Sequence, residues 1–237
     1  MNRDPQRLIQ SLLRAETIKD QATPPNLHCP KCTITVSRQC GSMGEGFAER
    51  LAERMELLYY DREILEKTAS QADVDPAIFA KLDESVRGMR SNWLEFLFTQ
   101  KAIHQEKYFQ CLINVVSGIS RYGGVILGRG ANFILNGTFV FRVRIVGSLP
   151  IRAGRYAAFH EVDLETAERK VRETDYDRDE FVRHLFNRDI NEPAAYDLIL
   201  NSDRLGVEAM VDLAVDALRA GHFCHRPDHR EIPLPEA

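Results

Sequence analysis

The pattern of hydrophobic and polar positions predicts short strands separated by amphipathic helices. Five short apolar or alternating runs are typical of strands and lie at 33–37, 57–60, 125–127, 140–145 and 198–200. Strands that alternate with helical stretches favour βαβ units and a mainly parallel sheet. The sequence therefore predicts an α/β fold with three layers, in which helices flank a parallel sheet.

The helical segments differ in character along the chain. The first long helix follows the first strand and places four apolar residues on one face: Phe47, Leu51, Ala52 and Met55. A long core-crossing helix is predicted over 93–121, and a highly charged helical stretch over 163–191. The last helix, 207–220, is expected to pack through Met210, Val211, Leu213, Ala214, Ala217 and Leu218. Asp61 is well placed to cap a further helix over 62–69.

The same pattern predicts three regions along the chain. Residues 1–32 form an appended helix and a proline-containing linker, and residues 33–221 form the organised domain. Residues 222–237 are rich in histidine and proline and are expected to be a flexible tail.

Composition narrows the class of protein. The chain has 237 residues, with 31 basic and 35 acidic side chains and a net charge of −4, so it offers no general attraction to nucleic acid or to an anionic membrane. No apolar run of about 18 residues and no signal-peptide core is present. Five cysteines are an odd number and too few for a disulfide framework. We therefore expect a cytoplasmic protein with free thiols that binds neither nucleic acid nor membrane.

A glycine-rich turn joins the first strand to the first helix. Backbone amides and a helix N-terminus at such a turn bind phosphate groups, because glycine permits close approach and the helix dipole favours negative charge. The candidate nucleotide-binding residues are Arg38, Gly41, Ser42, Met43, Gly44, Glu45 and Gly46. The alternative is that the glycines only make a tight strand-to-helix turn.

The turn lacks the lysine of a full Walker motif. Depending on the alignment, Gly44 or Phe47 stands at the position of that lysine. A hydrogen bond to a charged group contributes about 1.5–3 kcal/mol, so another cation must replace the lysine for efficient catalysis. Arg38 and Arg50 are the candidates, and the sequence does not choose between them.

The ordered motifs of the chain resemble the cytidylate kinase-like family, which has the nucleoside monophosphate kinase fold of P-loop proteins. The segments that carry the resemblance are ITVSRQCGS at 34–42, YDRE at 60–63, LGRGAN at 127–132, DYDR at 175–178 and YDLILNSDRL at 196–205. In this family the turn commonly reads Gly-Ser-Gly-Gly without the lysine. Met43 in place of a glycine, and Glu45 where a basic residue is common, are departures of this chain.

The resemblance implies a phosphoryl transfer from ATP to a nucleoside monophosphate, with CMP or dCMP as the default acceptor. It also implies a helical lid over about 156–192 that closes on the reacting phosphates. Because this chemistry uses cations and amides rather than a protein nucleophile, the expected catalytic residues are arginines: Arg129, Arg152, Arg155 and Arg178. The expected acceptor-side residues are Asp61, Arg62, Asn132, Arg188 and Asp189.

Magnesium is expected to be bound mainly by the nucleotide phosphates and water, so no protein metal site is predicted. Two other functions stay open: a regulatory nucleotide-binding module with little transfer activity, and a small-metabolite kinase on the same scaffold. A homodimer is also left open, because Trp93, Phe96 and Phe98 suit a core or a dimer face. Cys29 and Cys32 have zinc-site spacing, but a second close pair is missing, so this signal is weak.

Overall fold

The fold was obtained as a computed structural model that describes residues 32–61, 102–135, 137 and 139–223. In this part of the chain one sheet has five strands: β1 (Thr33–Arg38), β2 (Tyr59–Tyr60), β3 (Gly124–Leu127), β4 (Val140–Val146) and β5 (Leu198–Asn201). The strand order is β2-β3-β1-β4-β5, and every neighbouring pair is parallel. The central strand β1 is therefore flanked by strands that come much later in the sequence.

Helices connect the strands in chain order. They are α1 (Gly44–Arg54), α2 (Ala102–Tyr122), α3 (Ala131–Ile134), α4 (Leu149–His160), α5 (Leu164–Phe186) and α6 (Val207–Ala220), and a 3₁₀ turn spans Pro193–Ala195. Helices α1 and α6 cover one face of the sheet, whereas α2 and α3 cover the other. These layers confirm the predicted three-layer α/β fold with a parallel sheet.

The two faces of β1 explain its central position. Ile34 and Val36 are buried against α1 and α6, while Thr33 faces α2, where its hydroxyl donates to the Ser120 carbonyl at 3.3 Å. Side chains of a strand alternate between the faces of a sheet, so both faces of β1 are covered. The turn that follows β1 therefore lies at the centre of the carboxyl edge of the sheet.

Helices α4 and α5 pack side by side, and the predicted helical lid over about 156–192 takes in the end of α4 and all of α5. Asp163 begins α5 because its side chain accepts a hydrogen bond from the Thr166 amide at 2.8 Å. Asn187 ends it with a left-handed backbone at φ 51°. The predicted helical stretch over 163–191 is therefore too long, because Arg188 and Asp189 follow the helix in a turn.

Two further details of the sequence prediction are wrong. Leu213 is 46% exposed, because the buried face of α6 is formed by Met210, Val211, Ala214, Val215 and Leu218. The strand expected over 57–60 is confined to Tyr59–Tyr60, and Leu58 is 61% exposed.

Several predicted features lie outside the described residues. These are the N-terminal helix and linker up to residue 31, the helix over 62–69, the start of the long helix before Ala102, the aromatic residues from Trp93 to Phe98, and the tail from residue 224. The division of the chain into three regions stays a prediction.

Three thiols can be placed. Among the described residues Cys32, Cys40 and Cys111 are buried. The same part of the chain holds no cluster of three or more His, Cys, Asp or Glu side chains arranged for a metal ion. None of its helices combines the length and the apolar character needed to cross a lipid bilayer.

Candidate functional site

The topology of the sheet creates a crevice beside the glycine turn, residues 40–46. The chain leaves β1 towards β2 on one side of the sheet and leaves β4 towards β5 on the other. Ligands of open α/β sheets collect at the carboxyl ends of strands where the connections diverge in this way. The glycine turn lies at that point: it follows β1 and runs into the first turn of α1.

The backbone of the glycine turn depends on Gly41. This residue has φ +73°, and a Cβ atom there would collide with the backbone carbonyl oxygen of Arg152. Glycine reaches the left-handed region without steric cost and also allows this close approach. Ser42 is buried, and its hydroxyl donates to the Gln39 carbonyl at 2.8 Å, which holds the bend closed.

Met43 also has a left-handed backbone, at φ 61°, and precedes the first residue of α1. Its side chain packs against the hydrophobic core on the α1 side of the sheet. Met43, which replaces the glycine common in the family, is therefore accommodated because its side chain packs against this core. Gly46 lies farther along α1, where a Cβ atom would be 3.9 Å from Val207 of α6.

The position of the missing lysine is Gly44. Phe47, the other alignment candidate, is fully buried in the core, whereas Gly44 opens α1 at the turn. A Cβ atom on Gly44 would collide with the side chain of Arg38, so the stem of Arg38 fills the space above this residue. The Arg38 Nη1 atom would lie 2.5 Å from a Cβ atom on Gly128, so the guanidinium extends from α1 towards the loop after β3.

The two candidate substitutes for the lysine have different surroundings. Arg38 Nε donates to Glu45 Oε1 at 2.9 Å, within the glycine turn and the first turn of α1. Arg50 Nε donates instead to Glu208 of α6 at 2.6 Å. The structure therefore places Arg38 at the glycine turn and Arg50 on the surface between α1 and α6.

A second guanidinium reaches the same place from α5. Arg178 Nη1 donates to the Arg38 carbonyl at 3.1 Å, and Nη2 lies 3.5 Å from Glu45 Oε1. Burial and the neighbouring charge of Arg38 lower the pKa of Arg178 to about 10, which leaves it cationic at neutral pH. Two cations from separate elements thus converge beside the N-terminus of α1.

Glu45 is the carboxylate that these two cations share. Burial acts to raise its pKa, but the charges of Arg38 and Arg178 outweigh burial and hold the pKa below its ordinary value. Glu45 is therefore ionised at neutral pH. Its side chain is 50% exposed, whereas those of Arg38 and Arg178 are 16% and 24% exposed.

Arg152 supports the glycine turn from α4. It is buried, and its Nη1 atom donates to the Cys40 carbonyl at 2.9 Å and to Asp175 Oδ2 at 2.5 Å. Asp175 in turn accepts a hydrogen bond from the Cys40 amide at 2.7 Å. This clamp fixes the start of the turn to both α4 and α5, and the Arg152 side chain is bound to protein groups. Burial raises the pKa of the adjacent Cys40 thiol.

Arg155 lies one turn farther along α4 and contacts a different region. Its Nη1 and Nη2 atoms donate to the hydroxyl and carbonyl oxygens of Ser202 at 3.0 and 2.7 Å. These contacts join α4 to the chain that follows β5. The structure therefore does not bring the Arg155 guanidinium together with Arg38 and Arg178.

The loop after β3 lies beside Arg38 and α5. Gly128, Arg129 and Gly130 all have left-handed backbones, with φ values of 75°, 52° and 65°. The Arg129 guanidinium lies over the ring of Phe181 at 5.2 Å, and a Cβ atom on Gly130 would collide with the ring of Phe186. Three consecutive left-handed residues persist only where the surroundings hold them. Arg38 and the aromatic residues of α5 provide those surroundings.

The predicted acceptor-side residues are more dispersed. Asn132 is buried in α3, and its Nδ2 atom has no hydrogen-bond partner within the described residues. Arg188 is exposed and lies 3.9 Å from Glu192, while Asp189 accepts from the Asn191 amide at 2.8 Å. Asp61 directly follows β2, and Arg62 lies outside the described residues.

One polar residue of interest was missed at the sequence level. Arg144 is 4% exposed and donates to Ser37 Oγ at 2.7 Å and to Asn191 Oδ1 at 2.8 Å. Among the described residues no carboxylate lies within ion-pair distance of it, whereas Arg142 on the same strand pairs with Asp197 at 2.7 Å. The signal that could have identified Arg144 is an arginine inside the apolar strand β4. In the sheet, Arg144 lies beside Ser37 of β1.

A family model and several solved structures match this chain. The model of the cytidylate kinase-like family matches residues 33–204. A crystal structure of an uncharacterized protein from Eubacterium ventriosum ATCC 27560 shares 18% identity, with a TM-score of 0.61, over 80% of this chain and 99% of that chain. An unliganded sugar kinase from Janibacter sp. HTCC2649 shares 14% identity, with a TM-score of 0.49, over 83% and 100% of the respective chains.

A gluconokinase from Sinorhizobium meliloti 1021 shares 14% identity, with a TM-score of 0.45, and the match covers 81% of this chain and 94% of that chain. No curated protein matches the chain significantly. The family match spans β1, which precedes the glycine turn, as well as α4, α5 and β5. The chain belongs to the cytidylate kinase-like family.

Proposed function

We propose that the protein is a phosphotransferase that moves a phosphoryl group from ATP to a nucleoside monophosphate, with CMP or dCMP as the first acceptor to test. The observation that supports the proposal is the side chain of Arg38: its stem lies against Gly44, and its Nε atom donates to Glu45 in the first turn of α1. Membership of a kinase-like family supports the same reaction class.

The proposed roles follow from the demands of phosphoryl transfer. Catalysis needs alignment of two phosphates and cations that neutralise the developing charge. The amides of the glycine turn and the N-terminus of α1 would bind the donor phosphates, with Arg38 in the role of the lysine. Arg178, which reaches the turn from α5, would stabilise the transferred group. Arg152 would act as a positioning residue through its contact with Cys40.

The acceptor would lie on the side of the loop after β3. Arg129 follows that strand and is proposed to bind the acceptor phosphate. Asn132 is the candidate for a hydrogen bond to the acceptor base or ribose, because its buried Nδ2 atom lacks a partner among the described residues. Asp61, Arg62, Arg188 and Asp189 complete the proposed acceptor side by family resemblance, and Arg155 stays a predicted catalytic arginine.

Magnesium would enter the site with the nucleotide phosphates. The hard cation prefers oxygen ligands and keeps several waters when it binds with nucleotide phosphates. No protein ligand is proposed for the ion, because the buried Ser42 hydroxyl donates to the Gln39 carbonyl and Glu45 is bound to Arg38 and Arg178. When bound, the ion would supply neutralisation of the phosphate charge.

The direct test is formation of ADP from ATP and magnesium in the presence of individual acceptors. The panel contains CMP, dCMP, the other nucleoside monophosphates and small hydroxylated metabolites. Arg178→Ala should lower turnover by roughly a thousandfold, because a lid arginine can contribute about three to five powers of ten. Arg183→Ala is the matched control, since Arg183 lies on the same helix and pairs with Asp179 and Glu180 at its surface. Equal activity of both variants would refute the assigned role.

A regulatory nucleotide-binding module is the second candidate. The observation in its favour is Glu45, whose carboxylate is bound to both arginines at the proposed phosphate site. Tight ATP binding with no ADP formed from any acceptor would support this function over the kinase. Transfer to a hydroxylated metabolite, but to no nucleotide, would instead support a small-metabolite kinase.

A further inference from the structure

We propose that Glu45 is a specificity-determining residue that makes the site select metal-complexed polyphosphate over the free anion. This inference rests on the proposed function of the glycine turn as a nucleotide phosphate site. It assigns to one residue of this chain a role that neither the fold nor the reaction class requires.

The first step is competition for the same donors. Arg38 Nε lies 2.9 Å from Glu45 Oε1, and Arg178 Nη2 lies 3.5 Å from the same oxygen. Guanidinium groups bind carboxylates and phosphates through the same planar geometry. A phosphate that enters the turn and takes up these two arginines must therefore displace the Glu45 carboxylate.

The second step concerns where the displaced carboxylate can go. Glu45 is the second residue of α1, so its backbone is fixed beside the amides that would bind the phosphates. Its side chain is half exposed and can rotate towards water, but it stays within a few ångströms of the turn. Two anions would then lie close together without the arginines that previously separated their charges.

The third step is the charge balance at the turn. Asp175 is a second carboxylate near the turn in the described part of the chain, and it is bound to Arg152 at 2.5 Å and to the Cys40 amide at 2.7 Å. It is therefore committed to the clamp beneath the turn and does not exchange partners. Like charges at this distance repel in proportion to the charge of the ligand, and this repulsion is reduced when a divalent cation neutralises part of the phosphate charge.

The consequence is that the site should bind magnesium-free ATP more weakly than ATP complexed with magnesium. Free ATP meets an ionised Glu45, whereas ATP with magnesium presents a smaller net charge to it. A neutral side chain at position 45 should remove most of this difference. The gain should appear mainly as tighter binding of the metal-free ligand, because that form experiences the larger repulsion.

The test is calorimetric titration of ATP into the full chain, once with excess magnesium and once with a chelator. Glu45→Gln should bind metal-free ATP roughly tenfold more tightly than the parent does. The ratio of the ATP affinity with magnesium to the ATP affinity with chelator should fall by a similar factor. Glu53→Gln is the matched control: it removes the same charge from the same helix, but Glu53 pairs with Arg50 away from the turn. The affinity ratio of Glu53→Gln between the two metal conditions should stay within about twofold of the parent's ratio.

An unchanged ratio in Glu45→Gln, or an equal weakening of both forms, would overturn the inference. Inorganic triphosphate separates this inference from the proposed function. It is titrated into the parent and into Glu45→Gln, each with excess magnesium and each with a chelator. If triphosphate follows the predicted pattern and ATP does not bind, the nucleotide proposal fails and the role of Glu45 stands. If neither ligand binds under any condition, both proposals fail.

Discussion

At the scale of single residues, unusual backbone conformations surround the proposed site. Gly41 and Met43 in the glycine turn have positive φ, as do the three residues of the loop after β3, Gly128 to Gly130. A left-handed conformation costs a non-glycine residue about 1–2 kcal/mol, and such residues cluster where function demands them. Met43 and Arg129 accept this cost beside Arg38 and α5, whereas the other described non-glycine residues with positive φ follow the ends of helices: Glu56, Glu161, Asn187 and His222.

Gly41→Ala is expected to lower the free energy of unfolding by at least about 2 kcal/mol, because φ +73° disfavours a side chain and the added Cβ would meet the Arg152 carbonyl. Urea denaturation measures the loss. Gly154→Ala is the control: this glycine lies within α4 with open space around it, so alanine should stabilise the protein by about 0.5–1 kcal/mol. Equal stability of Gly41→Ala and the parent would contradict the account of the turn.

At the scale of elements, α4 and α5 are attached to the sheet and its loops at several points. Arg152 of α4 and Asp175 of α5 hold Cys40, and Arg178 of α5 donates to Arg38. Farther along α5, the ring of Phe186 lies 5.6 Å from that of Phe133 in α3. The glycine turn is therefore shaped by α4 and α5 as well as by its own sequence.

Asp175→Asn is expected to destabilise the fold by about 3 kcal/mol, because it leaves the buried Arg152 without its counter-charge. Chemical denaturation at neutral pH measures this effect. Glu168→Gln is the control on the same helix, since Glu168 forms an exposed pair with Arg172 and should change stability by less than about 1 kcal/mol. If the two variants have the same stability, Arg152 and Asp175 do not form a structural clamp.

At the scale of the whole molecule, local patterns were sufficient to predict much of the fold. Strands β1, β3, β4 and β5 lie within one residue of their predicted bounds, because short apolar runs bounded by turns are strong local signals. The strand order depends instead on contacts between distant segments, such as Thr33 with both Gly124 and Val140. No local pattern of residues predicted that order.

The candidate site was predictable only in part for the same reason. The glycine turn and Arg178 followed from motifs, whereas the choice between Arg38 and Arg50 did not. Arg50 is turned away from the turn by Glu208, a residue 158 positions later in the chain. Arg144 was overlooked because its hydrogen-bond partners, Ser37 and Asn191, become neighbours only when β1, β4 and the segment after α5 assemble.

The central claim is that Arg38 supplies the cation that the Walker motif lacks. Calorimetric titration of ATP with magnesium into the parent, Arg38→Ala and Arg50→Ala tests it most directly. The account predicts a loss of affinity of roughly tenfold or more for Arg38→Ala, since a hydrogen bond to a charged group contributes about 1.5–3 kcal/mol. Arg50→Ala should bind like the parent, because Arg50 pairs with Glu208 and Glu53. Parent-like affinity in Arg38→Ala, or an equal loss in both variants, would contradict the claim.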